Sequence, residues 1–248
     1  MASLLGAVAC QKTYFNGYGN GGNGPGNGRT DSVSTDEAAD MAANSLAIST
    51  NGVGDIVLDV TGRATSLVRR HLGCGTLQSD TISRQSPAGS TTTYSYNLNY
   101  NFIVVCGSDN TPDSLSSSLV YTGSANGPNL TSSNSGSSIF GVTGLDSAAT
   151  SYVVNGEYKS AGSFASKTDT ASHGNNNVDI VITALTLTKS NRNIASGTAT
   201  ITITGDVPKN GNFSYTGNVV FNGDGTATLT LNGTKYQINL YDGRRARL

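Results

Sequence analysis

Two hydrophobic periods divide this chain. Between residues 34 and 72 apolar positions recur every three or four residues, and from residue 74 onward they recur every two. Ser34 and Glu37 have capping-box spacing, and Asp36 and Glu37 fall in the first turn, where a helix end is positive. Ala38, Met41, Ala42, Ser45 and Leu46 form a narrow stripe. The pattern predicts a helix over about 35–48, stopped by "STNG" at 49–52. Residues 55–72 carry two patterns. Ile56, Leu58 and Val60 alternate like a strand, whereas Ile56, Val60, Ala64, Leu67 and His71 follow a helical stripe. The longer pattern favours a helix, although Gly62 inside it costs about 1 kcal/mol.

The second period is strict. "YSYNLNYNF" at 94–102 puts Tyr94, Tyr96, Leu98, Tyr100 and Phe102 on one face and Ser or Asn on the other. The alternation runs from Thr93 to Cys106, roughly 45 Å if straight. Other long runs lie at 178–189 and 197–206. "TATLTLNGTKYQINL" is a hairpin, because Asn232-Gly233 accepts the positive φ angles of a two-residue turn. "VVNGE" at 153–157 has the same signature. About ten to twelve strands joined by short turns imply an antiparallel meander. Long strands twist and curl, and a concave apolar face needs a cover. The expected fold is mainly β: a long-stranded meander curled into a roll or half-barrel, with one or two N-terminal helices packing on it. Tyr94, Tyr96, Tyr100 and Phe102 then line its inside, as core or as the wall of a ligand cavity.

Composition adds location. Of 248 residues only 12% are charged, Gly reaches 31, and Tyr (11) outnumbers Phe (6). This is the usage of an exported all-β protein. A net charge of −1 supplies no field to attract nucleic acid, so no nucleic-acid partner is expected. Residues 11–33 are a Gly/Asn-rich tether, 34–241 a single helix-plus-β-roll domain, and 242–248 a basic tail read as a solvated end.

The three cysteines divide unevenly. Cys10 ends "LLGAVAC", an apolar run closing on small residues, with Ala9 suited to the position before a lipidated cysteine. Residues 1–10 thus read as a lipoprotein-type leader, with Cys10 as the lipidation site. Cys74 and Cys106 remain as an even pair, either bonded in an oxidising compartment or two buried thiols.

The order of elements resembles a group of uncharacterised envelope lipoproteins of the Bacteroidota type. These look alike in a Cys-terminated leader, a polar tether, a helix like "DEAADMAANSL", a step like "GCGT" and a Thr/Gly/Asn-rich β region. Here that region ends "FSYTGNVVFNGDGTATLTLNGTKYQINL". The likeness covers roughly residues 36–241 and implies export, a membrane partnership through a lipid anchor, and an outer-membrane address. It implies no activity. Gln11, Lys12 and Thr13 follow Cys10, without the acidic residues of some surface-displayed lipoproteins, which leaves the periplasmic face open.

Catalytic chemistry is thin. No GxSxG, HExxH or phosphate loop is present, and His173 sits in a polar loop. Asp109 and Asp113, or Asn222 and Asp224, could hold calcium, but their spacing fits ordinary turns. No metal or cofactor is expected, and the protein reads as a non-enzyme. Three roles follow: clamping an apolar or amphipathic ligand such as a lipid in the curved sheet, binding glycans through Tyr and Asn, or a purely structural envelope role.

Overall fold

The computed structural model describes residues 33–69 and 73–248. Cys10, the leader 1–10, most of the tether 11–33 and His71 lie outside the described residues. Val33, assigned to the tether, belongs to the domain: it is buried, and its carbonyl accepts from the Tyr215 hydroxyl.

Helix α1 (Thr35–Leu46) starts at the expected cap. Glu37 N donates to Ser34 Oγ at 3.2 Å, and Ser34 N donates to Glu37 Oε2 at 2.9 Å. It ends at Leu46, two residues short of the expectation, because Thr50 turns back on it. The Thr50 hydroxyl lies 2.6 Å from the Asn44 carbonyl and 3.2 Å from that of Ala47. That satisfies carbonyls left open at a helix end. A short 3-10 turn (Ile48–Thr50) and Asn51, at a φ of 55°, lead into α2 (Val53–Arg69). In α2 the helical stripe prevails: Ile56, Val60, Ala64 and Leu67 are all buried.

Eleven strands follow among the described residues: β1 (Leu77–Gln85), β2 (Thr93–Cys106), β3 (Pro112–Asn126), β4 (Leu130–Thr143), β5 (Ser151–Ser166), β6 (His173–Thr188), β7 (Ile194–Val207), β8 (Gly211–Phe221), β9 (Thr226–Leu231), β10 (Thr234–Asn239) and β11 (Arg245–Arg247). Each pairs antiparallel with the next, giving one meander whose two ends do not pair with each other. The sheet curls around the helices. α1 contacts β4, β6, β7 and β9 to β11, while α2 contacts β3 to β5. All of α1 from Glu37 to Leu46 is therefore buried, polar residues included, which is why its apolar stripe is narrow. Its polar positions find partners in the wall: Asn44 Nδ2 donates to Ser132 Oγ at 3.1 Å, and Asp40 accepts from Asn129 and Arg245.

The 3-10 turn is bonded to the segment that follows β10. Ile48 N and Ser49 N each donate at 2.8 Å, to the carbonyls of Leu240 and Tyr241. Ion pairs tie both end strands inward. Arg84 and Asp80 of β1 reach Asp55, Asp59 and Arg63 of α2, and Arg245 of β11 reaches Asp40 of α1. Cys74 and Cys106 form a disulfide at the mouth of the first hairpin.

Two expectations change. Asn155-Gly156 is not a hairpin turn. It lies inside β5, where the register shifts, Gly156 has a φ of 148°, and Ala184 N donates to Asn155 Oδ1 at 2.8 Å. The pair serves as a bulge because its neighbours continue pairing on both sides. The basic tail is solvated only in part: Arg244 and residues 246–248 are exposed, but the segment pairs with the sheet. Residues 245–247 form β11, and the Arg245 guanidinium is drawn in by the buried Asp40 carboxylate. By contrast, Asn232-Gly233 turns β9 into β10 with φ angles of 46° and 81°.

Candidate functional site: the rim groove

The helices occupy the concave face on which the aromatic stripe stands. Tyr96, Tyr100 and Phe102 are at most 3% exposed, and Tyr94 is half-buried near the rim. Packing explains each ring. Tyr96 lies on Gly123 of β3, and Tyr121 lies on Gly136 of β4, where any Cβ would collide with the ring. The rings of Tyr94, Tyr96, Tyr121 and Tyr158 follow one another with centroid spacings of 6.3, 5.9 and 5.8 Å. The three inner hydroxyls are satisfied inside: Tyr96 donates to Asn134 Oδ1 at 3.3 Å, and Tyr121 donates to Tyr158 at 2.7 Å. Burial pushes the Tyr96 and Tyr121 hydroxyls well above the usual phenol range. Most of the stripe is therefore core.

Tyr100 and Phe102 lead to a charged cluster. Their rings stack at 5.3 Å, and Arg63 lies over Phe102 at 5.4 Å. The Tyr100 hydroxyl donates to Asp59 Oδ2 at 2.9 Å, and Arg84 Nη2 grips both Asp59 oxygens at 2.7 and 2.9 Å. Arg84 Nη1 also binds Asp55. Burial raises the Asp55 carboxyl to about 6; the Arg84 charge opposes that shift and the Asp59 charge adds to it. These carboxylates are engaged by Arg84 and Tyr100 and serve to dock β1 on α2.

Three clefts run along the same rim. An inner one of about 290 Å³ lies between α2 and the first hairpin, lined by Leu58, Asp59, Arg63, Tyr100, Phe102 and Arg192. A central one of about 520 Å³ lies under the loops after β6, β8 and β10, with Ile48, Leu58, Ile194, Leu240, Tyr241 and Arg192 in its wall. An outer one of about 390 Å³ is bounded by Ile48, Tyr94, Tyr241 and the β1–β2 turn. Leu58 and Arg192 are shared by the first two, Ile48 and Tyr241 by the last two. Neighbouring clefts thus share wall residues along this rim groove. Tyr241 stands in it 71% exposed, a large ring with no core to fill.

A different surface lies on the outside of the sheet. Ser79, Thr81 and Ser83 of β1 donate to Asn101, Asn99 and Asn97 of β2 at 2.7 to 2.9 Å, a regular hydroxyl–amide ladder. A shallow trough of about 510 Å³ farther along holds Lys159, Asn177, Asp179, Thr202 and Thr204.

The remaining candidates are ordinary. His173 is exposed at the start of β6, its Nδ1 3.3 Å from the Thr170 carbonyl. Asp109 and Asp224 each accept from the amide and hydroxyl two residues on, Thr111 and Thr226, and those bonds hold both carboxyls below their usual range. Among the described residues no cluster of three metal-ligating side chains occurs, and no helix is long and apolar enough to cross a membrane.

No family model, curated protein or solved structure matches the chain.

The sequence reading put Tyr94, Tyr100 and Phe102 on the inside of the roll rather than at its rim, where they also border these clefts, and it did not single out Ile48, Leu58, Arg192 and Tyr241. Arg192 and Tyr241 sit in turn sequences, "SNRN" and "LYDG", that carry no periodicity. The one available signal was Gly62, a glycine out of place within a helical stripe.

Proposed function

We propose that this protein is an exported, lipid-anchored envelope protein with a non-catalytic role, holding an amphipathic ligand in the rim groove. The central cleft carries the proposal: apolar Ile48, Leu58, Ile194 and Leu240 beside an exposed Tyr241 and an arginine. Clefts with mostly apolar walls and a few polar groups are the usual form of a small-molecule site. The site thus moves from the concave face, which the helices fill, to its rim. Export and anchoring at Cys10 are supported by the lipoprotein-like leader, and the Cys74–Cys106 bond suits an oxidising compartment.

Native mass spectrometry tests this on the full chain carrying Cys10→Ser, made in a bacterial periplasm. A retained adduct of lipid mass is expected, and Leu58→Glu together with Tyr241→Ala removes it. A bare mass, with no uptake of added amphiphiles, would rule the groove out.

A second role is supported by the hydroxyl–amide ladder on β1 and β2. Its aligned Asn amides suit sugar hydroxyls. Glycan-array binding lost in Asn97→Ala/Asn99→Ala, with the groove variants unaffected, would select it.

A further inference from the structure

Gly62 and Arg192 each carry a local cost. A glycine in the middle of a helix is less stable than alanine by about 1 kcal/mol. Arg192, in the β6–β7 loop, takes a φ of 59°, a left-handed conformation that favours glycine. Both meet at one point: the Arg192 guanidinium rests on the bare backbone of α2 at Gly62, where any Cβ would strike Nη1. The loop is pinned there. Arg192 N donates to the Thr188 carbonyl at 2.8 Å, and Asn193 N donates to Asn191 Oδ1 at 3.0 Å.

Arg192 is exposed, and among the described residues its charge has no counter-ion. Arg63 is paired with Asp80, and Arg84 with Asp55 and Asp59. Asp224, across the central cleft, turns its carboxylate into its own loop toward Thr226. Among the described residues no carboxylate lies within ion-pair distance of Arg192. Arg192 lines both the inner and the central cleft, and Ile194, Leu240 and Tyr241 line the central one with it.

We propose that Arg192, seated on Gly62, binds the carboxylate of an acyl ligand whose chain lies along the central cleft. This rests on the groove being a binding site. One planar guanidinium with one unpaired charge matches a carboxylate, two oxygens on two N–H groups, better than a doubly charged phosphate.

Calorimetry on the full Cys10→Ser chain tests it with decanoate, decanol and decyl phosphate, each below its micelle concentration. The wild type binds decanoate at least tenfold more tightly than decanol. Arg192→Met removes that preference and keeps decanol binding. Gly62→Ala, which favours the helix but unseats the guanidinium, reduces the preference without lowering the melting temperature. Equal affinity for decanoate and decanol, or a preference that survives Arg192→Met, overturns the headgroup assignment and leaves the groove standing. Tighter binding of decyl phosphate replaces the carboxylate with a phosphate. No binding of any probe overturns both the assignment and the groove.

Discussion

Arg245 of the last strand donates from Nε to Asp40 Oδ1 of the first helix at 2.7 Å, joining the two ends of the domain. Nη2 completes the fork to Oδ2 at 3.1 Å, and Asn129 Nδ2 donates to Oδ1 at 2.9 Å. The Asp40 side chain is only 4% exposed, so its charge depends on these partners. Breaking a buried pair from one side costs about 3–5 kcal/mol, because the other charge stays buried. Arg245→Ala should lose about that much in urea unfolding. Asp40→Asn should lose less, since a neutral amide tolerates burial better than a lone carboxylate.

Tyr100 tests whether the aromatic stripe is core. It is 1% exposed and its hydroxyl holds Asp59. Tyr100→Ala should destabilise by about 3–5 kcal/mol, as large-to-small core substitutions do. Tyr100→Phe keeps the ring and should cost about 1.5–3 kcal/mol for the hydrogen bond to a charged group. Urea titration of both variants, beside amphiphile binding, separates the roles. A Tyr100→Ala protein with wild-type stability and no binding would restore the ligand wall.

Asp55 makes stability depend on pH. Its folded-state carboxyl titrates at about 6 rather than 3.8, because burial disfavours the charge. Between those values the folded chain keeps a proton that the unfolded chain has released. Its contribution is therefore complete below about pH 4 and lost as pH rises through about 6. Relative to Asp55→Asn, the wild type should lose on the order of 2–3 kcal/mol between pH 3.5 and pH 7. Paired urea titrations across that range measure the difference. A flat difference would mean that the folded Asp55 carboxyl titrates where the unfolded one does, with no shift from burial.

Cys74 and Cys106, 32 positions apart, bridge the mouth of the edge hairpin. On the chain-entropy account, closing a loop of that length is worth about 3–4 kcal/mol. Cys74→Ser/Cys106→Ser should lower the unfolding free energy by that amount. Added reductant should bring the wild type to the same value and leave the double variant unchanged.

The class of fold was legible in the chain because alternation and turn chemistry are local. Tyr94 to Phe102 alternate wherever the strand goes, and Asn232-Gly233 turns because of its own φ angles. Ser34 and Glu37 likewise cap α1 within a single turn. The same Asn-Gly dipeptide at 155–156 became a bulge, since that outcome depends on what pairs beside it. Only the curl of the sheet decided that the helices fill the concave face, that Asp40 meets a residue 205 positions later, and that Arg192 rests on Gly62. Those contacts join segments remote in sequence, and each forms from residues whose own neighbourhoods read as plain turns or plain helix. Local periodicity determines which face a residue takes, whereas the curl of the sheet determines what it meets there.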